Sequence, residues 1–282
     1  MKQNIINIEQ ADYWNEKSGP KWVKVDELLN ERFSNLTNEL FSRATIKKND
    51  KVLDIGCGGG KTSFQASKLV GNKGQVTGAD ISETLLNFAK SKFFRNKNLD
   101  FIFCDVQNYK FEENNFDKVI SRFGVMFFEN PVEAFYNIKL SMKTNASLNF
   151  VCWSNMKEND FFYEGLEMIA KYAKQNLPTI TKNPGPFAFS ENDYIEKILK
   201  KSGFRDIRID TVYTRISTKD SVEKDVDMML SMGPRAKILS EANLSDEKMK
   251  IIRNKMKYLC KNRQNKNEIT YKACLNYVSA IK

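Results

Sequence analysis

The segment from Val52 to Gly60 constrains this chain more than any other. An apolar strand pattern runs into an acidic residue and four glycines, and a helical pattern follows. Because glycine lacks a Cβ atom, such a turn lets bare backbone approach a ligand where a strand passes into a helix. The segment therefore predicts a site for a nucleotide-like ligand.

Spacing separates three ligand classes that use such a turn. A phosphate-binding loop of the G-x-x-x-x-G-K-[ST] type would need glycine at position 55, which is Ile55, although residues 60–62 match its end. A dinucleotide fingerprint starting at Gly56 would need glycine at position 61, which is Lys61. The nucleoside triphosphate is disfavoured, and NAD stays open as a weaker alternative.

The pattern that remains is D-x-G-x-G-x-G, formed by Asp54, Gly56, Gly58 and Gly60. It resembles the first motif of class I S-adenosylmethionine-dependent methyltransferases. The acidic residue suits a cofactor that carries a sulfonium and an ammonium, whereas a carboxylate beside a pyrophosphate would be repulsive. The resemblance implies that Asp54 and the turn, including Cys57, hold the methionine part of S-adenosylmethionine, with S-adenosylhomocysteine as the product.

Two further strand patterns end where this family has its other cofactor residues. Residues 75–81 end at Asp80 and Ile81, and residues 100–105 end at Asp105, before Val106. The resemblance assigns Asp80 to the ribose hydroxyls and Asp105 to the adenine amine, with Ile81 and Val106 beside them. Each aspartate alone is more often a helix cap or turn residue, but the glycine turn upstream favours the cofactor role.

Residues 116–123 form a fourth strand pattern. In the family that the chain resembles, the end of this strand faces the methyl group that is transferred. Ser121 then borders the cofactor, and Arg122 is the candidate catalytic residue, while a structural ion pair for Arg122 is equally open. The candidates for lining the acceptor pocket are Trp14, Arg122, Phe123, Trp153, Phe187 and Phe189.

Residues 13–22 resemble the aromatic entry segment of a bacterial small-molecule methyltransferase group related to ubiquinone and menaquinone biosynthesis. Residues 121–128 and 185–189 extend the likeness over almost the whole chain. Tyr13 and Trp14 are expected to close over the cofactor, where an aromatic face near a sulfonium adds about 0.5–2 kcal/mol of cation-π attraction. Packing alone is an equally open role for both rings.

Strand and helix patterns alternate from residue 50 to residue 154, which predicts a parallel sheet with helices on both faces. The resemblance implies an α/β, Rossmann-like class I methyltransferase fold with a seven-stranded, mostly parallel sheet, an antiparallel last strand beside the fifth, and a helical cap or lid. The expected segments are an N-terminal helical segment (1–45), a cofactor-binding core (46–154), a lid insertion (155–189), a core continuation (190–217), a helical cap insertion (218–266) and the final strand (267–282).

Composition limits the chemistry and the location. The chain has 282 residues, 41% of them hydrophobic, which is enough for one substantial core. It contains no histidine, so imidazole metal sites and Ser-His triads are impossible, and we expect no metal. The five cysteines lack C-x-x-C spacing and are interpreted as buried apolar residues. Without a sustained apolar stretch, we expect no membrane span and a cytoplasmic location.

The net charge of +10 supports the main alternative, an RNA methyltransferase that uses the basic residues 248–266. Met249, Ile252 and Met256 recur among these residues at helical spacing, which favours an ordinary solvated face over a packed stripe. We therefore expect no specific nucleic-acid partner, and the oligomeric state stays open. A second alternative is a non-catalytic protein that binds S-adenosylmethionine.

The favoured function is methyl transfer to a small-molecule acceptor, such as a thiol, a phenol or a quinone precursor. The acceptor atom is not determined by these patterns. The methionines between Met228 and Met232 adapt well to irregular apolar ligands, but filling of the core is the favoured interpretation.

Overall fold

The computed structural model describes residues 5–282, and its strands form a mixed sheet. The strands are β1 (Lys51–Ile55), β2 (Gln75–Asp80), β3 (Leu99–Phe103), β4 (Phe116–Arg122), β5 (Met142–Trp153), β6 (Arg205–Thr218), β7 (Gln264–Asn265) and β8 (Glu268–Ile281). Across the sheet the order is β3, β2, β1, β4, β5, β8, β6, and the short β7 pairs with β8. Strands β1 to β5 are parallel, whereas β8 runs antiparallel between β5 and β6. The predicted fold class is confirmed, including the position of the last strand.

Helices precede the sheet, alternate with its strands and form the cap. They are α1 (Ile8–Asp12), α2 (Gly19–Arg32), α3 (Ser34–Ala44), α4 (Lys61–Val70), α5 (Glu83–Phe93), α6 (Pro131–Ser141), α7 (Asp160–Tyr163), α8 (Leu166–Ala173), α9 (Asn192–Lys201), α10 (Val222–Ser231), α11 (Gly233–Glu241) and α12 (Asp246–Asn262). A π-helical turn, Tyr13–Lys17, joins α1 to α2. The predicted lid insertion contains α7 and α8, and the predicted cap insertion contains α10 to α12.

The N-terminal helices pack on the sheet through one apolar face. Leu29, Phe33, Leu36 and Leu40 recur at steps of three and four residues, and each is at most 3% exposed. This spacing places them on one side of a helical path, so their burial holds α2 and α3 against the sheet. The same packing brings the end of α2 close to the ends of β4 and β5, where Phe33 contacts Phe123 and Trp153.

The cap shares its apolar interior with the sheet. Met229 of α10 and Met256 of α12 belong to the same buried cluster as Phe150 of β5 and Leu275 of β8. Because this core is continuous, the side chains of the cap contribute directly to the interior that lies beside β5.

The basic helix α12 is an amphipathic part of the cap. Its residues Ile252, Met256 and Cys260 are buried, as the spacing predicts. On its polar side, Arg253 pairs with Asp227 at 2.5 Å and Lys257 pairs with Glu223 at 3.4 Å. The basic residues therefore form a partly neutralised outer face.

The five cysteines are all buried and free of disulfides, in agreement with their interpretation as apolar residues. Within residues 5–282, no set of three or more Cys, Asp or Glu side chains is arranged to hold a metal ion. None of the helices in this part of the chain has the length and apolar character needed to cross a membrane.

Candidate active site

The backbone of the turn between β1 and α4 lies close to the backbone of the loop after β4. Gly56, Gly58 and Gly60 have φ values of 64°, 54° and 78°. A Cβ atom on Gly56 would lie 2.6 Å from the Cα atom of Gly124, in the loop after β4. Only glycine fits at Gly56, because a side chain there would need a left-handed conformation and space that the neighbouring backbone fills.

Asp80, the last residue of β2, fixes the same turn. Its Oδ2 accepts a hydrogen bond from Gly58 N at 2.7 Å, and its Oδ1 accepts one from Ser82 N at 2.8 Å. Burial raises the pKa of Asp80, while hydrogen bonds from these N–H groups act against the shift. Since an ionised carboxylate offers about four acceptor sites, Asp80 retains capacity for hydroxyl donors.

Asp54, in β1, is a buried carboxylate with one unpaired oxygen. Its Oδ2 accepts a 2.6 Å hydrogen bond from Ser63 Oγ, whereas its Oδ1 has no hydrogen-bond partner among the described residues. Burial raises the pKa of Asp54 to about 7, against the lowering effects of the Ser63 hydrogen bond and the Arg122 charge. A cationic partner would stabilise the ionised form of such a group. This environment fits the ammonium of the predicted cofactor.

Asp105 follows β3 and is engaged by residues 6–18, here called the N-terminal strap. Its Oδ2 accepts hydrogen bonds from Ile6 N at 3.1 Å and Asn7 N at 2.9 Å. Its Oδ1 accepts from Asn7 Nδ2 at 2.9 Å and from Gln107 N at 3.1 Å. These four bonds use the acceptor sites of an ionised carboxylate. Asp105 thus anchors the strap, and its contact with adenine stays a prediction.

The aromatic residues of the strap border a cavity. Trp14 contacts Trp22 and Phe127 edge-on, with ring centroids 5.6 and 5.1 Å apart. Its carbonyl oxygen accepts a hydrogen bond of 2.8 Å from the Oγ atom of Ser82, which follows Asp80 by two residues. Trp14 is therefore held beside the loop that carries Asp80.

This cavity has a volume of about 960 Å³ and extends from the glycine turn into an apolar chamber. Phe123 and Trp153 stack there face to face, with centroids 4.5 Å apart and planes inclined by 3°. Phe33 meets both rings edge-on at 5.5 and 5.6 Å. The rest of the apolar lining includes Leu29, Phe161, Phe162, Met228, Met229 and Met232. A chamber of this composition suits an apolar ligand.

Arg122 borders the cavity at the end of β4. Its Nη1 donates to Thr37 Oγ1 at 2.9 Å, and its Nη2 donates to Asn30 Oδ1 at 2.7 Å. Burial lowers the pKa of Arg122 and the charges of Asp54 and Asp26 raise it, but a guanidinium stays charged at neutral pH. Neutral side chains thus orient a cation whose charge is available to an anionic ligand.

The cavity brings together most of the predicted site residues. Those that border it are Tyr13, Trp14, Asp54, Gly56, Cys57, Gly58, Asp80, Ile81, Asp105, Val106, Arg122, Phe123 and Trp153. Ser121 and Gly60 are buried and are not among the described residues that border the cavity. Ser121 Oγ donates to Ile55 O at 2.7 Å and so ties β4 to β1. A Cβ atom on Gly60 would lie 2.6 Å from the Phe101 ring, which explains that glycine by packing.

Phe187 and Phe189, which were predicted to line the acceptor pocket, lie in the core instead. Both are buried, and neither is among the described residues that border the cavity. Phe189 packs against Phe135 and Phe150 at centroid distances of 6.1 and 6.2 Å, inside the core. Phe187 contacts Phe162 edge-on at 5.2 Å and thus supports a residue of the lining.

Several cavity residues have no distinctive sequence pattern. Asn7 and Gln10 border the cavity, yet Asn7 reaches its partner Asp105 across 98 positions of sequence. The helical spacing of apolar residues predicts that Phe33 is a core residue, but it does not indicate that Phe33 borders the cavity. Met228 and Met229 are buried, in agreement with their interpretation as core residues, and they also border the cavity. Their contact with an apolar ligand stays a prediction.

The family of this fold follows from sequence comparison. A family described as a methyltransferase domain matches residues 46–203, more than half of the chain. The chain belongs to this methyltransferase family. The prediction of an S-adenosylmethionine-dependent methyltransferase is thereby confirmed. Demethylmenaquinone methyltransferase of Staphylococcus aureus is 24% identical over 222 residues, which cover 74% of this chain and 90% of that protein.

Solved structures show the same fold. Phosphoethanolamine N-methyltransferase 2 of Haemonchus contortus, in complex with S-adenosyl-L-methionine, has a TM-score of 0.52 at 20% identity, covering 88% of this methyltransferase. The matched region is 52% of that structure, so this methyltransferase spans about half its length. A putative methyltransferase from Bacillus halodurans has a TM-score of 0.55 at 18% identity, with 87% and 98% of the two chains covered.

Substitution of Gly58 tests whether the turn of this methyltransferase cradles the cofactor. A Cβ atom on Gly58 would have no neighbour within 4 Å, and Gly58 borders the cavity. We expect Gly58→Ala to fold with a stability loss of about 1–3 kcal/mol, because alanine is strained at positive φ. We expect its affinity for S-adenosylhomocysteine to fall about tenfold or more, because the methyl group occupies ligand space. Calorimetry measures the affinity.

Gly71→Ala is a stringent control for this substitution, because the backbone of Gly71, with φ 68° and ψ −175°, is in a region almost restricted to glycine. Gly71 also has a positive φ, 68°, and open space at its Cβ position, but it ends α4 away from the cavity. It should lose stability and retain cofactor affinity. Equal affinities of the two variants would contradict a cofactor cradle at Gly58.

Proposed function

We propose that this methyltransferase transfers a methyl group from S-adenosylmethionine to a small, largely apolar acceptor with an ionisable ring substituent, such as a phenol or a quinone precursor. The observation that carries the proposal is the apolar chamber, which is continuous with the glycine turn and contains the stacked Phe123 and Trp153. Flat aromatic walls favour a planar acceptor. The name of the Staphylococcus aureus relative, which acts on a demethylmenaquinone, supports the same chemical class.

The loops at the other end of the cavity supply the proposed cofactor contacts. Asp54 holds the ammonium, the turn from Gly56 to Gly58 accommodates the methionine part, and Asp80 accepts from the ribose hydroxyls. When bound, S-adenosylmethionine supplies a methyl group that is already electrophilic. The protein then needs chiefly to align the acceptor with it and to exclude water, and the strap and the cap favour this by covering part of the cavity.

In this proposal the acceptor loses its proton without a histidine acting as general base. The chain has none, and Asp54, whose pKa is about 7, is proposed to be committed to the cofactor. A phenol or thiol can instead lose its own proton before reaction. Arg122 borders the chamber with a charge that would stabilise the resulting anion, so it is a candidate catalytic residue that acts on the acceptor.

The basic helix α12 gives little support to RNA as the acceptor. None of the described residues 246–262 borders the cavity. Two of its cations are already paired with Asp227 and Glu223 on α10. A polynucleotide bound to this helix would therefore lie outside the chamber that holds the proposed acceptor.

A panel of phenols, naphthols and thiols of graded pKa tests the proposed function. Methylated product should form with S-adenosylmethionine, and kcat/KM at saturating cofactor should rise with pH along the ionisation of each acceptor. Acceptors of lower pKa should shift the profile to lower pH. Mass spectrometry of the product and initial rates measure both effects.

Three outcomes would contradict this proposal in different ways. A profile fixed near pH 7 for every acceptor would indicate an enzyme base, with Asp54 as the first candidate. Methylation of a defined site in purified RNA would favour the RNA alternative. Binding of S-adenosylmethionine without product from any acceptor would favour a non-catalytic role.

A further inference from the structure

Arg122, the cation proposed to act on the acceptor, is held by two neutral oxygens from the N-terminal helices. Its Nη2 donates to Asn30 Oδ1 of α2 at 2.7 Å, and its Nη1 donates to Thr37 Oγ1 of α3 at 2.9 Å. The Thr37 hydroxyl donates its own hydrogen to Phe33 O at 3.0 Å, so it faces Arg122 as an acceptor. Neither partner neutralises the charge of the guanidinium.

Asn30 stands between this cation and a carboxylate of its own helix. Its Nδ2 donates to Asp26 Oδ1 at 3.0 Å and to Asp26 O at 2.8 Å. The amide has one orientation, because Arg122 can only donate and the ionised carboxylate can only accept. Asp26 is in turn paired with Lys92 of α5 at 2.9 Å. Asn30 thus accepts from one charged group and donates to a group of opposite charge.

The cavity is the open side of this arrangement. Arg122, Asn30 and Asp26 border it, and each is only partly buried. Asn30 and Thr37 use two of the five N–H donors of the guanidinium, so the others are available to a ligand. The charges of Asp54 on β1 and Asp26 on α2 both act on Arg122. Asp54 is proposed to hold the cofactor, which leaves Asp26 as the carboxylate that could pair with Arg122 if Asn30 did not separate them.

We propose that Asn30 is a positioning residue for methyl transfer, which directs Arg122 toward the acceptor and keeps it from pairing with Asp26. The inference rests on the proposed function, in which the acceptor reacts as an anion. A guanidinium aligned by neutral partners keeps its charge available to that anion, whereas direct pairing with a carboxylate would offset it. Preference for an ionised acceptor then depends on a residue that acts through Arg122.

The pKa of a bound chromogenic phenol tests this role without turnover. The probe is 4-nitrophenol, titrated by visible absorbance with the full chain saturated with S-adenosylhomocysteine. Wild-type protein should lower the pKa of the bound phenol by about 1 or more relative to the free phenol, because Arg122 favours the anion. Asn30→Ala should lose most of this lowering. It should also remain folded, since alanine is a better helix former than asparagine.

Asn30→Asp separates a positioning role from a purely structural one. Aspartate keeps an acceptor oxygen for Arg122 but adds a negative charge beside it, so the lowering of the phenol pKa should again be lost. A purely structural Asn30 predicts a nearly wild-type pKa for this variant, because the contact with Arg122 is retained. Calorimetry should find the affinity of both Asn30 variants for S-adenosylhomocysteine within about twofold of the wild type, since the role of Asn30 concerns the acceptor.

Asn98→Ala is the matched control. Asn98 is also a half-buried asparagine, whose Nδ2 donates to Ser67 O at 2.9 Å and to Gly71 O at 3.0 Å, and it is not among the described residues that border the cavity. This variant should leave the phenol pKa unchanged. Thermal unfolding of each variant confirms that it is folded.

The outcomes distinguish this inference from the proposed function. A full lowering of the phenol pKa in Asn30→Ala, or a wild-type pKa in Asn30→Asp, would overturn the positioning role. Weaker binding of S-adenosylhomocysteine by Asn30→Ala with an unchanged phenol pKa would also overturn it, and would assign Arg122 to the carboxylate of the cofactor. Failure of wild-type protein to bind the phenol or to lower its pKa would instead refute the proposed function itself.

Discussion

An Asp80→Ala variant should bind S-adenosylmethionine and S-adenosylhomocysteine about ten- to more than a hundredfold more weakly than the wild type. The substitution removes a carboxylate that borders the cavity and that retains acceptor sites on both oxygens. Charge-assisted hydrogen bonds of this kind contribute about 1.5–3 kcal/mol. The variant also releases the N–H of Gly58, which loosens the glycine turn. Isothermal titration calorimetry measures both affinities.

Two further variants separate binding from folding. Asp80→Asn retains the shape of the side chain and one acceptor oxygen, but its amide nitrogen must face one of the two N–H groups that Asp80 accepts. It should therefore be somewhat less stable than the wild type, remain folded and bind weakly. Asp100→Ala removes a carboxylate of the neighbouring strand β3 that accepts a hydrogen bond from Gln75 in an exposed position, and it should bind normally. Unchanged affinity in a folded Asp80→Ala protein would remove Asp80 from the site.

An Asp225→Ala variant should lose about 3–5 kcal/mol of unfolding free energy, because it leaves a buried charge without its partner. Asp225 of α10 pairs with Arg32 of α2 at 2.5 Å, and both side chains are fully buried. Asp225 also accepts a hydrogen bond from the Tyr271 hydroxyl of β8. The pair therefore joins the N-terminal helices, the cap and the sheet at one point. Equilibrium unfolding in urea measures the loss.

An exposed ion pair provides the control for Asp225. Asp210→Ala breaks the ion pair between Asp210, whose side chain is 59% exposed, and Arg43, whose side chain is 30% exposed. This variant should lose less than about 1 kcal/mol of unfolding free energy. A triple variant, Arg32→Met with Asp225→Leu and Tyr271→Phe, should recover most of the lost stability, since a buried ion pair is often replaceable by apolar residues and the Tyr271 hydroxyl would otherwise lose its acceptor. Similar losses for Asp225→Ala and Asp210→Ala would show that the buried pair has no special role.

Patterns of neighbouring residues were sufficient to predict the order of strands and helices in this protein. The glycine turn, the strand that ends at Asp80 and the alternation of strands with helices are visible because backbone conformation and burial depend on neighbouring residues. The conformation of Gly56 and the apolar face from Leu29 to Leu40 follow from the same local rules. The sequence by itself therefore determined the fold class and, through its resemblance to class I methyltransferases, the cofactor class and the loops that form the candidate site.

Tertiary structure decided which side chains share the cavity. Phe189 and Trp153 are both aromatic residues that were predicted to line the acceptor pocket, yet of the two only Trp153 borders the cavity, because Phe189 packs against Phe135 and Phe150 in the core. Asn7 meets Asp105 and Arg32 meets Asp225 across 98 and 193 positions, so neither pair leaves a periodic trace. Contacts of this range depend on how the elements pack against one another, and only the folded chain specifies that packing.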